Sequence, residues 1–136
     1  VPCAVSLQGV GLRDGDRLRV VANWRNCGEA GMSSAVLEGA AGQRTSGDEN
    51  RSHWEGVVIV RTGNYRLCWC ESACIACCTD NSDFSVQAGL LDVQGPVQGR
   101  VFRPYLGRPF TYTVDGEALS SADHVSIVGG EQPCGE

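Results

Sequence analysis

Apolar side chains recur at every second position over short stretches along the chain, and helical periodicity over ten or more residues appears nowhere, so the pattern predicts strands. Near the start, Val5 and Leu7 point one way against Ala4, Ser6 and Gln8. After the turn region Gly9 to Asp16, Leu18 and Val20 return to the apolar face with Arg17 and Arg19 opposite. Trp54 to Arg61 is apolar on both faces at its centre, which predicts a strand in the middle of a sheet. Thr62-Gly63-Asn64 is turn chemistry, and Tyr65 to Cys70 follows with Tyr65, Leu67 and Trp69 on one face and Arg66, Cys68 and Cys70 on the other. Asp83 to Val93 carries Phe84, Val86 and Ala88 on one side. It then slips phase at Gly89 so that Leu91 and Val93 continue the pattern, the mark of a bulge or bend. A short strand or turn at Ser34 to Leu37 and a short strand at Arg100 to Phe102 complete the set. About seven strands at roughly ten-residue spacing, joined by Gly-rich turns, predict an all-β fold: an antiparallel β-sandwich of the immunoglobulin-like class.

The beginning of the chain recurs at its end. At a shift of 107 positions Pro2 to Glu29 falls on Pro109 to Glu136 without a gap, and eight of the 28 pairs are identical, among them Gly9/Gly116, Leu12/Leu119, Asp16/Asp123 and Cys27/Cys134. The pairs Val5/Tyr112, Leu7/Val114, Leu18/Val125 and Val20/Ile127 keep the apolar alternation. This register divides the chain into a repeat unit at 1–96, a linker rich in Gly, Pro and Arg at 97–108, and the opening strand pair of a second, incomplete repeat at 109–136. A lone pair of strands is marginal in water. Tyr112, Val114, Leu119, Val125 and Ile127 therefore need cover from the same chain, from a following repeat, or from a neighbouring molecule by strand addition. The last two routes build a linear array.

Eight cysteines (Cys3, Cys27, Cys68, Cys70, Cys74, Cys77, Cys78 and Cys134) in 136 residues predict a disulfide-stapled domain in an oxidising compartment, extracellular or at the cell surface. The C-x-C and C-x-x-C spacings between Cys68 and Cys78 also serve zinc and redox sites. No histidine stands at knuckle spacing, since His53 is well upstream and His124 falls on a strand. A redox motif would open a helix, whereas the turn Thr79-Asp80-Asn81-Ser82 follows here. Local bridges between the strand and its following loop, plus one from Cys27 to the cluster, fit better, with adjacent Cys77 and Cys78 bonded to different partners. The connectivity itself stays open. Cys3 aligns with Phe110, so the second copy has Cys134 without the partner position of the first. If Cys3 pairs with Cys27, Cys134 is left to reach another unit.

Composition narrows the function. The eleven basic residues are all arginine and are scattered among sixteen acids, for a net charge of -5, which argues against nucleic acid as a partner. No apolar run approaches the roughly 20 residues of a membrane span. Val1-Pro2-Cys3 lacks the charged and apolar regions of a signal peptide, so the chain reads as a mature product or an excerpt from something longer. Asn50-Arg51-Ser52 is an N-glycosylation sequon in a polar, exposed stretch, and makes Asn50 a glycan site. No Gly-x-Ser-x-Gly, His-Glu-x-x-His or phosphate-binding glycine loop occurs, and Asp14-Gly15-Asp16 reads as turn chemistry before it reads as a calcium ligand set. An enzyme, a cofactor and a metal are not expected.

The run Gly63-Asn64-Tyr65-Arg66-Leu67-Cys68-Trp69-Cys70, then Asp83-Phe84-Ser85-Val86 and Gly89-Leu90-Leu91-Asp92-Val93-Gln94-Gly95-Pro96, resembles the cysteine-rich modules repeated in tandem in very large secreted or surface proteins of alveolate protists, of the dinoflagellate and apicomplexan type. Gly9 to Asp16 with Cys27-Gly28 is similar to the opening of that module, and together these segments cover most of the chain. Near Arg103 and Phe110 the chain departs from the pattern, because such modules often carry cysteines flanking the Leu-Gly-Arg-Pro-like stretch. The resemblance implies an extracellular repeat of long surface or fibre-forming proteins, and no activity. The expected function is a building block of an extracellular fibre, appendage or surface coat, a homopolymer whose partners are copies of itself or adjacent repeats. The alternative is an adhesive module with Trp24, Trp54 or Trp69 stacking on glycans.

Overall fold

The computed structural model describes residues 3–31, 37–38, 45–59, 61–73 and 77–134. The strands are β1 (Cys3–Gln8), β2 (Arg17–Ala22), β3 (Leu37–Glu38), β4 (Ser46–Gly47), β5 (Arg51–Ile59), β6 (Gly63–Cys70), β7 (Val86–Val93), β8 (Gly95–Pro96) and β9 (Gly116–Glu117). Every pairing is antiparallel. β5 is the hub of one sheet, paired with β1, β3 and β4, and β6 is the hub of the other, in the order β2-β6-β7. β8 and β9 form a short ladder of their own. Among the described residues the helical structure is a single 3-10 turn at Asn81–Asp83, so the fold is all-β.

β1 and β2 are consecutive strands that do not pair with each other. β1 lies on β5 with Val5 opposite Trp54, and β2 lies on β6 with Leu18 opposite Trp69. The turn at 9–16 therefore carries the chain from one sheet to the other, and the opening strands depend on β5 and β6, not on one another. Alternation then puts their apolar faces into a common space. Val5, Leu18, Val20, Trp54, Val57, Tyr65 and Leu67 form one buried cluster drawn from both sheets.

The reverse face of β2-β6-β7 is covered as well. Val21, Cys68, Cys70, Cys78 and Phe84 form a second cluster, and the Arg19 guanidinium lies 4.2 Å from the centre of the Phe84 ring. Arg19 also donates to the side-chain oxygen of Asn81. Cys27 bonds Cys68 and Cys70 bonds Cys78, so β6 is stapled to the loop after β2 and to the loop that follows β6 itself. Cys77 is disulfide-bonded too. The side chain of Cys3 and the whole of Cys74 lie outside the described residues.

Several expectations need correction. Cys134 stands among the bridging cysteines in the sequence reading, yet its thiol is free and exposed. Val86 is exposed, and Phe84 does not share its face with Ala88. The 3-10 turn redirects the chain before β7 begins, which sends Phe84 into the second cluster. The irregularity in β7 falls at Ala88, one residue before Gly89: Leu67 pairs with Gly89 and Cys68 with Gln87, leaving Ala88 unpaired. Residues 100–102 join no ladder, while 34–36 and Val60 lie outside the described residues.

Candidate functional site

The link at 9–16 is built from few groups. Gly11 has φ 74°, a left-handed conformation open to glycine without strain. The Asp16 amide donates to the Arg13 carbonyl at 3.1 Å, and the Asp16 carboxylate accepts from the Arg13 amide at 2.9 Å. Its other oxygen accepts from the Ser72 amide at 3.0 Å and the Ser72 hydroxyl at 3.2 Å. Asp16 is fully buried, so this latch ties the start of β2 to the end of β6 in a place where each bond counts for more than it would in water. The carboxylate is thus committed to protein donors, as turn chemistry requires.

Ser72 can come this close because residue 15 has no side chain. A Cβ built on Gly15 would stand 2.6 Å from Ser72 Cβ, too near for any side chain to be tolerated without movement of backbone. Gly15→Ala is expected to destabilise the chain by about 1–3 kcal/mol, the usual cost of overpacking. Adding Ser72→Gly should return most of that loss in urea titration, since the offending atom is the Cβ of Ser72 itself.

Residues 116–123 repeat this turn. Ala118, at the place of Gly11, has φ 53°, an uncommon conformation for a residue with a side chain. The Asp123 amide donates to the Ser120 carbonyl at 3.1 Å, and the Asp123 carboxylate accepts from the Ser120 amide at 2.7 Å. Leu119 lies over Gly116 as Leu12 lies over Gly9. Among the described residues the second copy lacks the counterparts of Ser72 and of the Asn50 and Glu49 carbonyls, which accept from the Gly9 and Leu12 amides in the first. Asp123 is exposed, and its other oxygen has the Ser120 hydroxyl at 3.4 Å.

The flanking stretches show the same contrast. Leu18 is 4% exposed and Val125 64%; Val20 is 1% exposed and Ile127 83%. Tyr112 and Leu119 are exposed and Val114 is half-buried. No ladder forms over residues 109–115 or 123–129, which corrects the expectation of a formed strand pair there. The physical reason lies in the pairing: in the first copy β1 and β2 are held by β5 and β6, and among the described residues no strand plays that part for 109–115 or 123–129. The tail is tied at its base by β8–β9, by the Val97 amide donating to the Asp115 carbonyl at 2.7 Å, and by an Arg100–Asp115 ion pair at 2.6 Å. Tyr112 stacks with Phe102 and Phe110 at ring-centre distances of 5.2 and 5.8 Å.

Between this base and the repeated turn lies an open groove of about 680 Å³, walled by Pro96, Val114, Leu119, Asp123 and Val125. Val101, Tyr105, Leu106 and Ile127 of the same C-terminal segment are exposed as well. The pair Asp16/Asp123 is visible in the sequence as an identity. Its role as a latch was not, because the donor, Ser72, is 56 residues away.

The other candidates are scattered. Trp54 is fully buried and Trp69 is half-buried in the same cluster, so neither offers an open face to a sugar; Trp24 is 79% exposed in the turn after β2. In that turn the Asn26 side-chain amide donates to the Glu29 carboxylate at 2.6 Å and holds its pKa below the ordinary value. The Arg66 guanidinium donates to the Asn23 carbonyl at 2.9 Å and to Gln87 at 2.6 Å. Asn50 is exposed in the tight turn before β5, where the Asp48 carboxylate accepts from the Asn50 and Arg51 amides. Ser6 Oγ lies 2.7 Å from His53 Nδ1, and His124 lines the groove, so the two histidines are at unrelated places. Among the described residues no group of three or more His, Cys, Asp and Glu side chains converges on a metal-sized space. No described helix is long and apolar enough to cross a membrane. No protein-family model, curated protein or solved structure matches the chain.

Proposed function

We propose that this chain is a structural building block of an extracellular fibre, appendage or surface coat: a disulfide-stapled β-sandwich of the immunoglobulin-like class that joins the next unit head to tail by strand complementation. The observation that carries the reading is the turn at 116–123. It keeps the two bonds between the aspartate and the residue three positions earlier that close the turn at 9–16, while Tyr112, Leu119, Val125 and Ile127 around it are exposed. A groove walled by Pro96, Val114, Leu119 and Val125, with further apolar side chains of the same segment left in solvent, supports a contact site there. Sheets of one unit completed by strands of another give a linear array, in which each unit touches only its neighbours. A core shared by the two sheets supports the sandwich, and the staples on β6 suit an oxidising, extracellular setting. A glycan on Asn50 would stand on an exposed turn.

Immunogold electron microscopy of the native material, with antibody raised against residues 97–108, tests the assignment. Gold at regular intervals along a filament or coat is the expected result; diffuse label on no ordered structure would count against it. A second reading, an adhesive module, is favoured by the single exposed tryptophan among the three, Trp24. In that case a glycan array should show binding that Trp24→Ala abolishes.

A further inference from the structure

We propose that the unit completing residues 109–134 is not identical to this one: it is a following module of the same kind that carries glycine where this module has Ser72. The inference rests on the building-block reading and names its partner. In the first copy the space beside the turn is filled by the end of β6 and by Ser72, which donates to Asp16. In the second copy an open groove walled by Val114, Leu119, Asp123 and Val125 lies against the turn, and the Asp123 carboxylate accepts only from Ser120 of its own turn among the described residues. The occupant that fits is therefore a strand pair like β5 and β6, with an amide N–H at its end to reach Asp123.

The two turns differ at one place that governs this fit. The position of Gly15 is occupied by Ala122. Gly15 has no left-handed φ, so its backbone does not require glycine; close approach does, because a Cβ there meets Ser72 Cβ at 2.6 Å. Ala122 carries that Cβ. An incoming residue with any side chain meets it, and no rotamer relieves a clash between two Cβ atoms. Glycine keeps the amide that Asp123 needs and removes the obstacle. A second copy of this chain is a poor occupant for two reasons: it carries Ser72, and its own β5 and β6 are already paired with β1 and β2.

The register also assigns Cys134. Cys27 bonds Cys68 on β6, so Cys134 should bond the cysteine at the Cys68 place of the incoming module, with Val125 opposite the Trp69 place as Leu18 is in this unit.

The test extends the full chain after Glu136 with a second copy of residues 30–96. Three versions are compared: the appended copy unchanged, the appended copy with Ser72→Gly, and the appended copy unchanged but with Ala122→Gly in the tail. Alkylation of Cys134 and hydrogen exchange over residues 110–115 and 124–129 are read by mass spectrometry. Expected are a bridge from Cys134 to the appended Cys68 and exchange slowed by about a hundredfold or more in the second and third versions, with the first remaining open. Equal closure of all three would overturn the glycine requirement, and closure of none would overturn the docking. So would dimerisation of the unextended chain through a protected tail. The pair Gly15→Ala and Gly15→Ala with Ser72→Gly keeps the claim testable should an extension misfold: absence of relief by the second change contradicts it. Closure is a property of single molecules and fibre formation is not, so a chain that closes but never assembles would sink the building-block reading alone.

Discussion

Asp16→Ala is expected to lower stability by about 3 kcal/mol, whereas Asp123→Ala should change it by less than about 0.5 kcal/mol. Both aspartates cap the same turn, and both accept a backbone amide three residues earlier. Only Asp16 is buried, and only Asp16 also accepts the amide and hydroxyl of Ser72. Its removal strands donors in a place water enters poorly and unlatches β2 from the end of β6. Asp16→Asn keeps the shape but exchanges one acceptor oxygen for a donor amide, and should fall between the two. Urea unfolding of the three variants reads the differences directly. Equal costs at residues 16 and 123 would show that the tail is as closed as the unit it copies.

The second large effect concerns the staples. Replacing Cys27 and Cys68 together by alanine should destabilise by about 4 kcal/mol, and replacing Cys70 and Cys78 by about 2.5 kcal/mol, from the loop entropy each bond removes from the unfolded chain. The bonds span sequence separations of 41 and 8 residues, which sets that order. Both sets of cysteines sit in the cluster on the outer face of β2-β6-β7, so the packing lost is of the same kind in each and the loop length decides. Thermal and urea unfolding under non-reducing conditions should rank the wild type above the Cys70/Cys78 variant and that above the Cys27/Cys68 variant. The opposite order would mean that the short loop after β6, not the tie to the loop after β2, holds the second cluster together.

Much of the fold was legible because half-buried strands announce themselves by alternation. Val5, Leu18, Val20, Tyr65 and Leu67 all lie in the cluster between the sheets. Alternation identifies a face and is silent about the neighbour, which is why nothing in the pattern separates β1 and β2 into different sheets. Val21 is buried on the other face of β2, under a loop that begins some fifty residues later, and no local pattern foretells such cover. β3 and β4, at two residues each, are too short to carry a period. Spacing suggested one bridge from Cys27 into the cluster and another from strand to loop, and the structure has bonds of both kinds. It could not show that Trp54 is sealed inside, since an aromatic at a strand centre reads alike in a core and on a surface.

The candidate site divides the same way. Its existence followed from an internal copy in linear register, and its five apolar residues were named by that copy alone. Its chemistry depends on contacts across the fold. The Asp16–Ser72 latch, the close approach at Gly15 and the groove beside Asp123 join residues far apart in the chain. Once these are known, the substitution of glycine by Ala122 acquires a meaning that the aligned letters lack.

Hydrogen exchange on the dilute, monomeric 136-residue chain tests the central claim most directly. Amides of residues 3–8 and 17–22 should be protected by at least about a thousandfold, while those of 110–115 and 124–129 exchange at nearly the rates of an unfolded peptide. Protection of the tail equal to that of the first copy, at a concentration where the chain is shown to be monomeric, would contradict the account.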